Sequence, residues 1–229
     1  MLAGVLACAG SLTAQAQSLQ ASPSAIECGA TPALPSVAYM SDVIAMDRQL
    51  GLPLTYPITR GMRLTPEPDT LVEVGYDVRG RNVRMAPLAA EALKEMIAAA
   101  NRDGMQLQIV SGFRTVAYQS HMVRGKLQRG MGIEAALRIN AAPGFSEHHS
   151  GCAVDLTAPG AAPADESFAE TRAYEWLRKH AGEFGFHLSY PRENANGIEF
   201  EPWHWRYVAD DNAQPPSAVA SDDNAADGG

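Results

Sequence analysis

A chain of 229 residues is long enough for one domain of ordinary size with an arm or tail, and short for two full domains. Hydrophobic residues at 46% and charged residues at 19% exclude wholesale disorder. The net charge of -8, from 18 Lys and Arg against 26 Asp and Glu, leaves no broad phosphate-neutralising face, so no nucleic acid partner is expected. The acid is unevenly placed: the stretch 209–229 holds Asp210, Asp211, Asp222, Asp223 and Asp227 with no Lys or Arg, leaving the rest only mildly acidic.

Residues 1–16 carry no charged side chain, run mostly apolar from Leu2 to Leu12 and end in Ala14-Gln15-Ala16, the small-x-small pattern of a signal-peptidase site. They read as a secretory signal cleaved near Ala16, although the Lys or Arg that normally opens such a signal is missing. A periplasmic or secreted protein is expected. A competing reading makes Val5-Leu6-Ala7-Cys8 a lipoprotein site with Cys8 acylated, and a third keeps the segment as an apolar helix in the core. The apolar run falls short of the ~20 residues of a membrane span, and no later stretch approaches that length without charges, so no transmembrane span is expected. Cleavage would remove Cys8 and leave Cys28 and Cys152, which in an oxidising compartment either form a disulfide or remain two thiols.

Residues 17 to about 40 are rich in Ser, Ala, Pro and Gly without periodicity and read as a linker or surface arm. The domain proper is expected over 41–209. Pro87 to Asn101 is amphipathic, with Leu88, Leu93, Met96 and Ile97 near helical spacing, proline in the first turn and Gly104 just past the end. Gln106 to Val110 alternates as a strand does and runs into Ser111-Gly112. Arg114–Gly130, Ile133–Ile139 and Glu166–Phe184 read as helices, the last with Phe168, Tyr174, Trp176, Leu177 and Phe184 on its apolar face. Phe186–Tyr190 and Ile198–Val208 read as strands, and 210–229 as a disordered acidic tail. The fold class is α+β, a small and mostly antiparallel sheet flanked by helices in a single domain. Nothing in the pattern bears on oligomeric state.

Chemistry concentrates in two segments. Ser146-Glu147-His148-His149-Ser150-Gly151-Cys152-Ala153-Val154-Asp155 sets imidazole and carboxylate seven positions apart, with small residues between that let the backbone approach an ion. Glu201-Pro202-Trp203-His204 places a carboxylate three residues before another imidazole. Catalytic zinc takes three nitrogen or oxygen donors at ~2.0–2.2 Å and keeps a position for water. His148, Asp155 and His204 fill that quota and leave Glu201 free to accept a proton. On composition alone His149 competes with His148 as the ligand; His121, His180 and His187 read as surface or capping residues. Glu201 and His204 would point to opposite faces of a regular strand, so a kink at Pro202 is expected to turn both toward the ion, with Trp205 and Tyr207 packing behind and Trp203 near the substrate.

Together with Ser111-Gly112-Phe113-Arg114 and Gln119, these segments resemble the VanY-type D-alanyl-D-alanine carboxypeptidases within the wider LAS group of zinc peptidases. The pattern S-x-H-x-x-G-x-A-x-D is met by Ser146, His148, Gly151, Ala153 and Asp155, and E-P-W-H-x-R-Y-V from Glu201 to Val208. The resemblance spans roughly Pro87 to Val208. It implies one zinc ion on His148, Asp155 and His204, selecting His148 over His149, with Glu201 as general base and Arg114 steadying the substrate carbonyl. It implies a peptidoglycan stem peptide as substrate, with Ser146 near it. Ser111 and Gln119 either bond the substrate or cap the helix and orient Arg114. Phe113 stands where many relatives have tyrosine, so any hydrogen bond from that hydroxyl is lost. Removal of a C-terminal D-alanine is the leading expectation; L,D-carboxypeptidase action on tetrapeptide stems, an endopeptidase, and a non-catalytic peptidoglycan-binding zinc domain are the alternatives.

Overall fold

A computed structural model describes Cys28, Gly29 and residues 34–209. The signal, the Cys8 site and the acidic tail lie outside these residues, as does most of the expected arm. The arm reading ends earlier than residue 40, because helix α1 begins at Val37 and runs to Leu50. Ser36 starts it, its side-chain oxygen accepting the Tyr39 N–H at 3.2 Å. A one-turn helix α2 follows at Tyr56–Thr59.

Strands β1 (Val72–Tyr76) and β2 (Asn82–Met85) form an antiparallel hairpin. Its turn is built on Asp77, whose carboxylate accepts the Arg79 and Arg81 N–H groups at 2.8 and 2.9 Å. Helix α3 (Pro87–Arg102) buries Ala89, Ala90, Leu93, Met96 and Ala100, the stripe that the periodicity predicts. Then come β3 (Gln108–Ser111), α4 (Val116–Gln128) and α5 (Ile133–Ala136), the last a single turn where a two-turn helix was expected.

A second sheet has the order β3-β4-β6-β5 with every pairing antiparallel, using β4 (Ala153–Thr157), β5 (Phe186–Leu188) and β6 (His204–Tyr207). The expected α+β class with a small antiparallel sheet is the one observed. The expected strand Ile198–Val208 is shortened to β6, since Glu201–His204 forms a turn in which the His204 N–H reaches the Glu201 carbonyl at 3.1 Å. The expected helix Glu166–Phe184 is also interrupted. A 3₁₀ segment over Glu166–Glu170 stops at Thr171, whose extended backbone and side chain cap helix α6 (Arg172–His180), and a further 3₁₀ turn ends at Phe184.

Two apolar cores result. The larger lies between the sheet, α3 and α6, and includes Leu93, Met96, Val154, Leu156, Phe168, Leu177, Phe186 and Trp205. The smaller is helical: Val43 and Leu50 of α1, Tyr56 of α2, and Val116 and Val123 of α4 meet Leu137 and Phe145. Cys28 and Cys152 form a disulfide that ties the N-terminal segment to the start of β4, and Cys28 accepts the Ala209 N–H at 2.8 Å.

Candidate metal centre

Strand register does the first part of the assembly. Asp155 on the central strand β4 lies directly across from His204 on β6 and across from Ser111 on β3, and paired antiparallel residues project to the same face. His148 arrives from a 3₁₀ turn over Glu147–Ser150 that feeds into β4. Gly151 closes this turn with φ +72°, and a Cβ there would stand 2.8 Å from the backbone nitrogen of Ala86. The glycine of the motif is thus needed for both conformation and approach.

The donor atoms His148 Nε2, Asp155 Oδ1 and His204 Nδ1 converge within 4.8 Å of one another. Asp155 Oδ1 is 3.2 Å from His148 Nε2 and 3.1 Å from His204 Nδ1, close to the ~3.4 Å edge of a tetrahedron with ~2.1 Å bonds. Each ring is oriented by its other nitrogen. His148 Nδ1–H donates to the Gly112 carbonyl at 2.6 Å, and His204 Nε2–H donates to Glu147 Oε2 at 2.9 Å. Both rings therefore turn their second nitrogen, the one a metal would take, toward the carboxylate. Two ring nitrogens and a carboxylate oxygen turned to one point call for positive charge among them, a proton or a divalent cation, and their spacing fits the latter.

Electrostatics point the same way. Burial raises the Asp155 carboxyl, but the charges of His148, His204 and Arg114 outweigh it and hold the group below the ordinary carboxylate range. Burial pushes His148 down to about 4, assisted by Arg114. At His204 burial is overcome by Asp155 and Glu147, which raise it to about 10. Without a metal the cluster gathers a proton between its carboxylates; positive charge is what it stabilises.

Glu201 is turned in as the kink at Pro202 requires, its Oε2 at 3.7 Å from His204 Nδ1. It lines a cleft of about 660 Å³ together with Ser111, Arg114, Asp155 and Trp203. Burial raises its carboxyl to about 7, offset in part by His204 and Arg114. The Arg114 guanidinium is 3.7 Å from Asp155 Oδ2. Trp205 and Tyr207 are core residues, whereas Trp203 faces the cleft.

Gln119 and Ser146 are elsewhere. Gln119 is 1% exposed on the packed face of α4, where its Nε2 donates to the Ala141 carbonyl at 2.8 Å. Ser146 is buried ahead of the 3₁₀ turn, its carbonyl accepting the His149 N–H at 3.0 Å. Neither is among the residues lining the cleft.

Three supports, Gly112, Glu147 and Tyr190, were not read from the sequence. Gly112 supplies the carbonyl for His148, and a Cβ there would lie 2.5 Å from Val83 and 2.9 Å from the Arg84 carbonyl. Glu147 orients His204. Tyr190 packs over the His204 ring at 4.8 Å. His149, which as a non-ligand reads from the sequence as either a support behind the ligands or a surface residue, is the former and fully buried: Nδ1–H donates to the Arg114 carbonyl at 2.7 Å, and Nε2 accepts the Gly144 N–H at 3.1 Å. The Arg114 N–H in turn donates to the His148 carbonyl at 3.1 Å. The His148-His149 pair therefore clamps Arg114 at both backbone groups.

Comparison with known proteins agrees with this geometry. The model of the family described as VanY: D-alanyl-D-alanine carboxypeptidase matches residues 82–210. A D-alanyl-D-alanine carboxypeptidase of Enterococcus faecium is 33% identical over 66% of this chain and 45% of its own length. The chain spans about half the length of the enterococcal carboxypeptidases it matches. Among solved structures, the LdcB LD-carboxypeptidase superposes with a TM-score of 0.58 at 30% identity, covering 64% of this chain and 71% of that one. A variant of the vancomycin-resistance D,D-pentapeptidase VanY in complex with Zn(II) gives 0.51 at 30% identity, covering 65% and 85%. With more than half of its residues inside the family match and the motifs folded into one site, the chain belongs to the VanY D-alanyl-D-alanine carboxypeptidase family.

Proposed function

We propose that the protein is a zinc-dependent carboxypeptidase that removes the C-terminal D-alanine from peptidoglycan stem peptides. The observation that carries this reading is the convergence of two imidazole nitrogens and one carboxylate beside a further glutamate outside the cluster. His148, Asp155 and His204 would hold the ion. Bound zinc brings the pKa of water to ~7 and polarises a carbonyl, the chemistry that amide hydrolysis needs at neutral pH.

The chain's own groups supply the rest. Glu201 takes the proton of the attacking water and returns it to the leaving amine. Arg114, clamped through its backbone, presents a guanidinium to the substrate carbonyl oxygen as negative charge develops there. Trp203 and Ser111 wall the cleft around the peptide. The presence of both the base and all three ligands favours catalysis over a binding-only role. The likeness to LdcB supports L,D-cleavage of tetrapeptide stems as the second reading. Export past the cytoplasm is part of the proposal, supported by a disulfide of the kind that persists in oxidising compartments.

The test is zinc content together with free alanine released from pentapeptide and tetrapeptide stems. Wild type should bind one equivalent of zinc and release alanine, and Glu201→Gln should keep the zinc and lose about 10³-fold in rate. Equal release by both would remove Glu201 from the role of base.

A further inference from the structure

Any enzyme that removes a single terminal residue must tell a chain end from a continuing chain. The distinguishing group is a carboxylate one residue beyond the scissile carbonyl, ~3.5 Å along an extended peptide. Such a site requires a cation near the general base that no protein carboxylate already neutralises.

Four cationic side chains line the cleft: Arg79, Arg81, Arg114 and Lys126. Arg81 is engaged by Asp77, with its Nε at 2.6 Å from Oδ2, and Arg79 is exposed on the hairpin turn. Arg114 faces Asp155. Lys126 differs from all three. It is half-buried, its Nζ donates to the amide oxygen of Asn140, and no carboxylate lies within ion-pair distance among the described residues. Its charge is opposed by burial, Arg129 and Arg114, and favoured only by Glu201 nearby.

Placement completes the argument. Met122, whose sulfur is 3.9 Å from Arg114 Nη1, precedes Lys126 by four residues of α4, about 6 Å along the helix. Arg114, Met122 and Lys126 therefore succeed one another along the wall leading away from Asp155. Lys126 thus stands in the same cleft as Arg114 and Glu201, close enough to feel both charges, on the wall that the terminal residue of a bound peptide would meet. An ammonium taken partly out of water and given only a neutral partner is costly, and an arriving carboxylate turns that cost into a charge-assisted pair.

We propose that Lys126, held by Asn140, is the anchor for the free C-terminal carboxylate of the substrate and makes the cleft an exopeptidase site. This rests on the hydrolase reading given above. Lys126 is a specificity-determining residue and takes no part in proton transfer.

The experiment compares two peptides ending in D-Ala-D-Ala, one with a free carboxylate and one as the C-terminal amide, on the zinc-loaded protein. The acid should be cleaved with kcat/KM about 10² above the amide, because the amide leaves the ammonium unpaired. Lys126→Met should lower kcat/KM for the acid by about 30-fold or more, chiefly through KM, and leave the amide unchanged. Lys126→Arg should recover part of the loss, and Lys94→Met, which removes an exposed charge, should leave the ratio as in wild type. Calorimetric binding of both peptides to Glu201→Gln should rank them in the same order without turnover. Equal handling of acid and amide by wild type, or an unchanged ratio in Lys126→Met, overturns the anchor while the hydrolase stands. Preferential binding of the acid with no cleavage of either peptide overturns the hydrolase and leaves the anchor standing.

Discussion

The sheet-centred core and the helical core meet at one cleft, and the polar groups they turn toward it are kept differently. On the sheet side both ring nitrogens of His148 and His204 have partners, and so has the ligating oxygen of Asp155. On the helical side Arg114 Nε is buried with no partner among the described residues, and Lys126 holds only a neutral amide. The difference separates two tasks. Groups that hold an ion must be fixed before it arrives, so their hydrogen bonds are completed within the protein. Groups that receive a substrate must keep bonding capacity in reserve, at some cost in stability.

The sharpest way to break this comparison is to remove the covalent staple on the sheet side. Cys28 and Cys152 are 124 residues apart, and a loop of that size corresponds to about 4–5 kcal/mol in the chain-entropy account. Cys28→Ser, or reduction of wild type, should lower Tm by about 10–15 °C at ~2–4 °C per kcal/mol. Because Cys152 enters β4 three residues before Asp155, zinc affinity should fall with it. Thermal unfolding and zinc titration with and without reductant check both. Unchanged zinc affinity in the reduced protein would show that β4 is held in place by its ladder alone.

A smaller effect tests the orientation of one ligand. Glu147→Ala removes the acceptor of His204 Nε2–H and should weaken zinc binding by about 10–100-fold with little change in fold. Glu147→Gln, which keeps an acceptor oxygen, should lie between. Gln119→Leu on the helical side should leave zinc affinity as in wild type. Competition with a chromophoric chelator measures all three. A loss in Gln119→Leu equal to that in Glu147→Ala would erase the distinction between the two sides.

How far the sequence disclosed this arrangement depends on whether the signal was local. Helix α3 was legible because its apolar stripe repeats over four turns, and the ligands because residue type and spacing together demand a metal. The turn at Pro202 followed from a backbone that cannot donate and from two side chains that had to share a face. What went unread depended on partners distant in the chain. The β1-β2 hairpin has alternation and an Asp77–Gly80 turn signal, but charged residues dilute the pattern, and its packing against Gly112 is a tertiary fact. Thr171 looked like one more residue within a helix until its capping bond to Tyr174 interrupted the run. Gln119 was weighed for substrate contact, yet it falls three residues after Val116 and four before Val123, on the stripe that α4 buries.

The smallest prediction concerns the helical core, where one acid sits on the wrong side of its own pKa. Asp47 on α1 is 9% exposed, its Oδ1 has no hydrogen-bond partner among the described residues, and burial pushes its carboxyl up to about 7. In the unfolded chain the group titrates near 3.9. Between those values the native state retains a proton that the unfolded state releases, so this residue's contribution to stability is complete below about pH 4 and is lost as pH rises through 7. Asp47→Asn cannot titrate and escapes the loss. It should match wild type at pH 4 and exceed it by about 1–3 kcal/mol at pH 8, with urea midpoints at pH 4, 6 and 8 as the measurement. Asp155 on the sheet side behaves in the opposite sense, because its cationic neighbours hold the buried carboxyl low and it grows less favourable as pH falls. A pH-independent gain in Asp47→Asn would mean that the native structure solvates this carboxylate after all, and that the helical layer is looser around α1 than its packing against Leu137 and Phe145 implies.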